Sequence, residues 1–280
     1  MKKMVKESAY LAGKKPLLKQ LLDELLQKYE YASLLATDSK SKSYRVSKTG
    51  TGITEDSVLS ERGFCVKVYD KGALYEYSFS VIDEESIQSI IKEIDDKVSG
   101  LGENLPEGVK TFRFEKKIIE DEITLNKSTE YEIDPEETDE KDIVDLLTKI
   151  SEKGRAYDER IIDCLVAFSY QKYSKIFLSA KKDLTQNVMW SSGFIIAMAS
   201  EGEEIQESYS PVSMLGGFEV LDDLGDKLED SCKTAVELLK AEPMIPGEYE
   251  CICPPDVTGM IVHEAFGHGV EMDMFVKDRA

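Results

Sequence analysis

Both histidines of the 280-residue chain fall in one hexapeptide, His263-Glu264-Ala265-Phe266-Gly267-His268, with a glutamate directly after the first. Neutral imidazoles are good ligands for a borderline-soft divalent ion such as zinc. A catalytic zinc site keeps one position open for water, and a neighbouring carboxylate takes that water's proton as it attacks. His263 and His268 are therefore the candidate metal ligands and Glu264 the candidate general base. The alternative is a helix bearing two incidental histidines.

The spacing is unusual. Histidines four apart on an α-helix are about 40° apart around the axis, whereas five apart are about 140° apart and splay. Gly267 and Gly269 flank His268 and permit a bulge, kink or helix end that swings its ring back, so distortion is expected there. Asp256, or the turn just before it, can cap the motif helix. The apolar side of that helix, Val257, Met260 and Ile261, predicts burial.

Ahead of the motif, Leu17, Leu18, Leu21, Leu22, Leu25 and Leu26 predict an amphipathic first helix with Pro16 at its start. Strands are expected over Tyr31 to Thr37 and Ser43 to Ser47, with a hairpin of Gly63 to Tyr69 and Ala73 to Phe79 around Asp70-Lys71-Gly72. Helices follow near Asp83, bearing Ile87, Ile90, Ile91 and Ile94, and from about Asp139, bearing Ile143, Leu146, Leu147 and Ile150. Ser99 to Pro106 breaks regular structure, as does the acidic stretch from Glu130 to Glu140. From Arg160 to Tyr209 the pattern turns to antiparallel β, in short strands separated by polar turns. A long helix over Leu221 to Leu239 and a strand over Glu248 to Cys253 complete the reading.

The composition restricts function. Thirty-five basic against 55 acidic side chains give a formal charge of −20, which repels a phosphate backbone, so no direct nucleic-acid partner is expected. No run approaches the roughly 20 apolar residues of a membrane span, and the N-terminus lacks a secretory core, so a cytoplasmic protein without membrane contact is expected. Five scattered cysteines suit a reducing compartment and are read as small buried hydrophobes. Cys251 and Cys253 are read as a structural pair on one strand face, with a metal clamp as the alternative. The acidic run Glu130 to Glu137 is read as a solvated connection rather than a site for a basic peptide. Tyr75, Tyr77 and Phe79 are read as core packing rather than a groove that receives an extended peptide. Glu271 and Asp273 are read as solvated charges at a helix end rather than groups that orient an imidazole.

Gly247-Glu248-Tyr249-Glu250, Pro254, Gly259 and Val262-His263-Glu264-Ala265-Phe266-Gly267-His268-Gly269-Val270-Glu271-Met272-Asp273 resemble the signature segment of the TldD/PmbA family, on its TldD side. Arg62 to Tyr69 is similar to the family's early glycine-led strand. The resemblance implies an α+β fold in which an antiparallel-rich sheet, packed by helices, leads into a motif helix. It divides the chain into an N-terminal α+β domain over 1–245, with a β-rich segment at 158–210, and the start of a metallopeptidase domain at 246–280. It also implies a cytosolic zinc metallopeptidase that cleaves unfolded or extended peptides, working with a PmbA/TldE-like partner subunit or as a homodimer.

Carried across the motif, His263 and His268 correspond to zinc ligands and Glu264 to the base. The family's remaining ligand is a cysteine far downstream, in a β-rich C-terminal domain that the chain does not reach. A fragment is therefore expected, whose two histidines alone bind zinc weakly. A non-catalytic PmbA-like partner or scaffold and an inactive truncated fragment are the alternatives. The family's older label as a modulator of DNA gyrase suggests a regulator of DNA enzymes, which the charge opposes.

Overall fold

Period-two alternation of apolar and polar residues produces strands here that are longer than the sequence reading expects. The computed structural model describes residues 2–55, 61–70, 72–100, 118–276 and 279. Contacts divide them into two units, Met1–Lys240 and Ala241–Ala280. The first contains, in chain order, β1 (Lys3–Met4), α1 (Ala9–Leu26), β2 (Tyr31–Ser47), β3 (Gly50–Glu55), β4 (Arg62–Asp70), β5 (Ala73–Phe79) and α2 (Ser86–Gly100). There follow β6 (Ile123–Ser128), β7 (Glu130–Tyr131), α3 (Glu140–Arg155), β8 (Ile161–Ser179), β9 (Lys182–Glu201), β10 (Glu204–Leu215), a 3-10 turn (Phe218–Leu221), α4 (Asp222–Asp226) and α5 (Leu228–Leu238).

The main sheet runs β10-β9-β8-β2-β4-β5, with β3 beside the second half of β2 and β6 beside the first half of β9. Every pairing in it is antiparallel except β6 with β9. Strands β1 and β7 form a separate small ladder. The fold is α+β, an antiparallel sheet packed by helices, as the motif resemblance implies.

Successive strand residues point to opposite faces, so residues of one parity share a face. Ala32, Leu34, Ala36, Tyr44 and Val46 of β2 are all buried, as are Cys164, Val166, Phe168, Tyr170, Ile176 and Leu178 of β8. Their shared parity places both apolar clusters on one face of the pleat. Helices α1 and α2 cover one end of it, through Leu11, Leu18, Leu21, Ile87, Ile91 and Ile94. Helices α3 and α5 cover the other, through Ile143, Leu147, Leu228, Cys232 and Ala235. Full burial of each such side chain contributes about 1.5–3 kcal/mol. Tyr75, Tyr77 and Phe79 pack against the first cluster, which is the core role the alternation suggests.

A polar band separates the two clusters on the same face. Lys172 Nζ donates to Asp134 Oδ1 and Oδ2 at 2.6 and 2.8 Å and to Glu136 Oε2 at 2.7 Å. Arg62 Nε donates to Asp38 Oδ1 at 2.8 Å, and Ser174 Oγ donates to Asn187 Oδ1 at 2.8 Å. This band explains where the strand reading fails. Polar residues 38–42 and 169–175 look like turns, yet Asp38 pairs with Ser174 and Lys42 with Tyr170 inside one ladder. Partnered polar side chains let β2 and β8 run through unbroken. The run Glu130 to Glu137 is likewise more than a solvated connection, because Asp134 is buried against Lys172.

Four other expectations are corrected. Helix α1 starts at Ser8, whose Oγ accepts from the Leu11 amide, which places Pro16 about two turns inside it. The helix expected over Leu221 to Leu239 divides at Lys227 into α4 and α5. Glu248 to Cys253 forms no strand and is exposed. Cys164 and Cys232 are buried, but Cys251 and Cys253 are exposed and share no strand face. A hydrogen bond with Cys232, together with burial, holds the Cys164 thiol far above the ordinary thiol range.

The caps at Asp83 and Asp139 hold: Asp83 Oδ1 accepts from the Ser86 amide and Asp139 Oδ1 from the Lys141 amide, each at the expected helix start. The hairpin of β4 and β5 closes with Asp70 opposite Ala73 and Gly72 at φ 84°, in the left-handed region that favours glycine. Lys71 and residues 101–106 of the expected loop lie outside the described residues.

Removing the cation from the polar band strands a buried carboxylate. Lys172→Met is expected to destabilise the protein by about 3 kcal/mol in urea unfolding, and the Lys172→Met/Asp134→Leu double variant by less than the sum of the two single changes.

Candidate metal centre

Prolines set the start of the motif helix. Pro254 is the N-cap, at φ −66° and ψ 167°, and Pro255 opens α6 (Pro255–Val262), where its missing amide hydrogen costs nothing. The Thr258 amide donates to Pro254 O at 2.9 Å, and Asp256 places a negative charge in the first turn, where the helix dipole favours it.

At His263 the helix changes pitch. Residues His263–Gly267 form a π turn, closed by the His268 amide donating to the His263 carbonyl five residues back. A tight 3-10 turn, His268–Val270, follows, and then α7 (Met272–Val276). The π turn resolves the spacing problem, because a turn that closes over five residues places residues five apart on the same side. The expected distortion is present and takes this form.

The rings of His263 and His268 lie edge to face, with centroids 4.7 Å apart and planes at 79°. One donor atom from each of His263, Glu264 and His268 lies within 4.8 Å of the other two. Two nitrogens on a tetrahedral zinc ion stand about 3.3 Å apart, so small side-chain rotations bring this set into coordinating range. All three side chains are exposed. A borderline-soft donor pair beside a carboxylate fits zinc.

One feature refines the sequence reading and one departs from it. Gly267 sits at φ −56° and ψ −54°, ordinary right-handed helix, and a Cβ there would meet nothing nearer than Val262 O at 3.9 Å. The glycine therefore permits the distortion without being required by it. The motif helix is also not buried: Met260, Phe266 and Val270 are at least 60% exposed, and no described residue of Ala241–Ala280 is buried.

One contact favours the alternative that the sequence reading ranks second. Glu271, read as a solvated charge, places Oε1 2.8 Å from Nδ1 of His268. Its separation of three residues from His268 is the available signal, because side chains so spaced meet on a helical surface. Cys251 and Cys253 do not join the donor cluster. A cavity of about 860 Å³ opens in the first unit, lined by Ser8, Asp38, Arg62, Lys172 and Ser174 among others. Among the described residues, no helix is long and apolar enough to cross a membrane.

No protein-family model matches the chain. It is 23% identical over 262 residues to a metalloprotease of Methanocaldococcus jannaschii, covering 92% of this chain and 55% of that protein. A metalloprotease of Methanothermobacter thermautotrophicus is 30% identical over 120 residues, 42% of this chain and 26% of the relative. The chain thus spans about half the length of the Methanocaldococcus jannaschii relative. Among solved structures, a Thermotoga maritima protein described as a modulator of a DNA gyrase superposes with a TM-score of 0.60 at 16% identity, covering 83% of this chain and 50% of that one. TldE of Thermococcus kodakarensis gives 0.52 at 12% identity, with 80% and 47% covered, which shows likeness of fold.

Since Gly267 presents no steric demand, Gly267→Ala is expected to bind zinc as the parent does and to gain about 0.5–1 kcal/mol in thermal unfolding of the motif helix. Lost zinc binding in that variant would show that the π turn needs the glycine. In sequence and in fold, the chain is similar to the TldD/PmbA, or modulator of DNA gyrase, family over about half of its members' length.

Proposed function

We propose that this chain carries the metal-binding motif of a cytoplasmic zinc metallopeptidase subunit that hydrolyses unfolded or extended peptides. The observation behind the reading is the meeting of two imidazoles and one carboxylate across a π turn, in a chain whose relatives are named metalloproteases. His263 and His268 would hold the ion, with a third ligand from a cysteine outside these 280 residues. Bound there, zinc would supply Lewis-acid polarisation of the scissile carbonyl and lower the pKa of water.

Glu264 follows His263 directly, and its Oε2 lies 3.9 Å from His268 Nε2. That separation is too long for a hydrogen bond, so the carboxylate stays free to take a proton from the attacking water and return it to the leaving amine. In this reading residues 1–245 form a scaffold domain and 246–280 open the metallopeptidase domain. The likeness to TldE supports pairing with a related subunit, with a homodimer as the other arrangement. It also favours a second reading, in which the chain is a non-catalytic partner. The two-histidine motif weighs against that role.

Glu264→Gln in the full-length protein is expected to retain zinc and to lose peptide cleavage by about 100- to 10,000-fold, measured on an unfolded peptide. Cleavage at the parent rate would remove Glu264 from the chemistry, and zinc loss would make it a ligand instead of a base.

A further inference from the structure

We infer that Glu271 is a positioning residue for this site: its carboxylate accepts the Nδ1 hydrogen of His268 and so turns the bare Nε2 of that ring toward His263 and Glu264. The inference rests on the metal-centre reading above and adds a residue to it. Two consecutive departures from α geometry bring the groups together. The π turn places the His268 ring beside that of His263. The 3-10 turn that follows, in which the Glu271 amide donates to the His268 carbonyl at 3.3 Å, eclipses residues three apart and sets the Glu271 side chain against the same imidazole.

The distances assign the two ring nitrogens different partners. Nδ1 lies 2.8 Å from Glu271 Oε1, within hydrogen-bond range, while Nε2 lies 3.9 Å from Glu264 Oε2, outside it. A neutral imidazole has one N–H, and the carboxylate beside Nδ1 claims it. This leaves the lone pair on Nε2, the nitrogen 3.9 Å from Glu264 Oε2, in a ring whose centroid is 4.7 Å from that of His263. A carboxylate behind a ligating imidazole fixes its tautomer and restrains its rotation.

The two histidines of the chain make the test direct, because a 15N-imidazole spectrum contains only two ring systems, and His263→Ala assigns them. On the metal-free chain, at a pH where both rings are neutral, His268 is expected in the Nδ1–H form, against the Nε2–H preference of free imidazole. Glu271→Ala should return it toward the free preference. Glu271→Gln, whose amide oxygen accepts the same bond, should preserve the Nδ1–H form.

In competition with a chromogenic chelator, Glu271→Ala should weaken zinc binding about 10- to 100-fold, less than His268→Ala, with Glu271→Gln recovering most of the loss. An unchanged His268 tautomer in Glu271→Ala would overturn the inference. So would a Glu271→Gln variant as weak as His268→Ala, which would make Glu271 a ligand. A full-length protein that binds no zinc would instead defeat the metal-centre reading, and the metal-free spectrum would still decide the role of Glu271.

Discussion

The candidate site depends on one backbone hydrogen bond, from the His268 amide to the carbonyl of His263. Had that amide bonded four residues back, as in an ordinary helix, the two imidazoles would stand about 140° apart and could not share an ion. Moving the acceptor one residue further back adds a residue to the turn and aligns the rings. The bond comes with weaker local packing than an α turn provides, which is why such turns are rare and short and concentrate at functional positions. Here the π turn is confined to His263–Gly267, with α6 before it and a 3-10 turn after it.

A comparable economy shapes the first unit. Its long strands β2 and β8 each contribute to two separate apolar clusters on the same face, and the stretch between the clusters is polar. A continuous apolar face would have merged the clusters into one. Asp134, Lys172, Arg62 and Asp38 instead form ion pairs across the gap, and the ladder runs through beneath them. Lys172 and Asp134 are the deeper pair, and either charge left unpartnered there would cost several kcal/mol, so their pairing is a condition of the long strands. The same pairing reaches the cavity there, where Lys40, Arg62 and Lys172 of the lining each have a carboxylate partner.

Much of this was legible in the sequence, and the failures share a cause. Ile87, Ile91 and Ile94, like Ile143 and Leu147, announce helices by their spacing because burial of one face is decided locally. The caps at Asp83 and Asp139 are equally local. Residues 38–42 and 169–175 were misread as turns because what keeps them in strands is a partner strand far away in sequence, together with Asp134 and Glu136 on another segment. The site divides in the same way. The types and order of His263, Glu264 and His268 point to metal chemistry without any structure, and the five-residue spacing requires a distortion. That the distortion is a π turn, that Gly267 keeps an ordinary helical conformation within it, and that Glu271 meets His268 all depend on the path of the backbone.

Charge and geometry play different parts in what such a site would bind. A formal charge of −20 creates a field that draws divalent cations and repels phosphates, and Glu264 with Glu271 places two negative charges beside two imidazoles. Two carboxylates match the charge of one dication. Both are more than half exposed, however, at 62% and 53%, so water and salt screen their attraction and the field supplies little selectivity. Magnesium and calcium respond to that field as readily as zinc does. What separates the three ions is the pair of ring nitrogens, which zinc accepts and the harder cations disfavour. Selectivity at such a site would therefore follow from the alignment of His263 with His268, and the π turn is what produces that alignment.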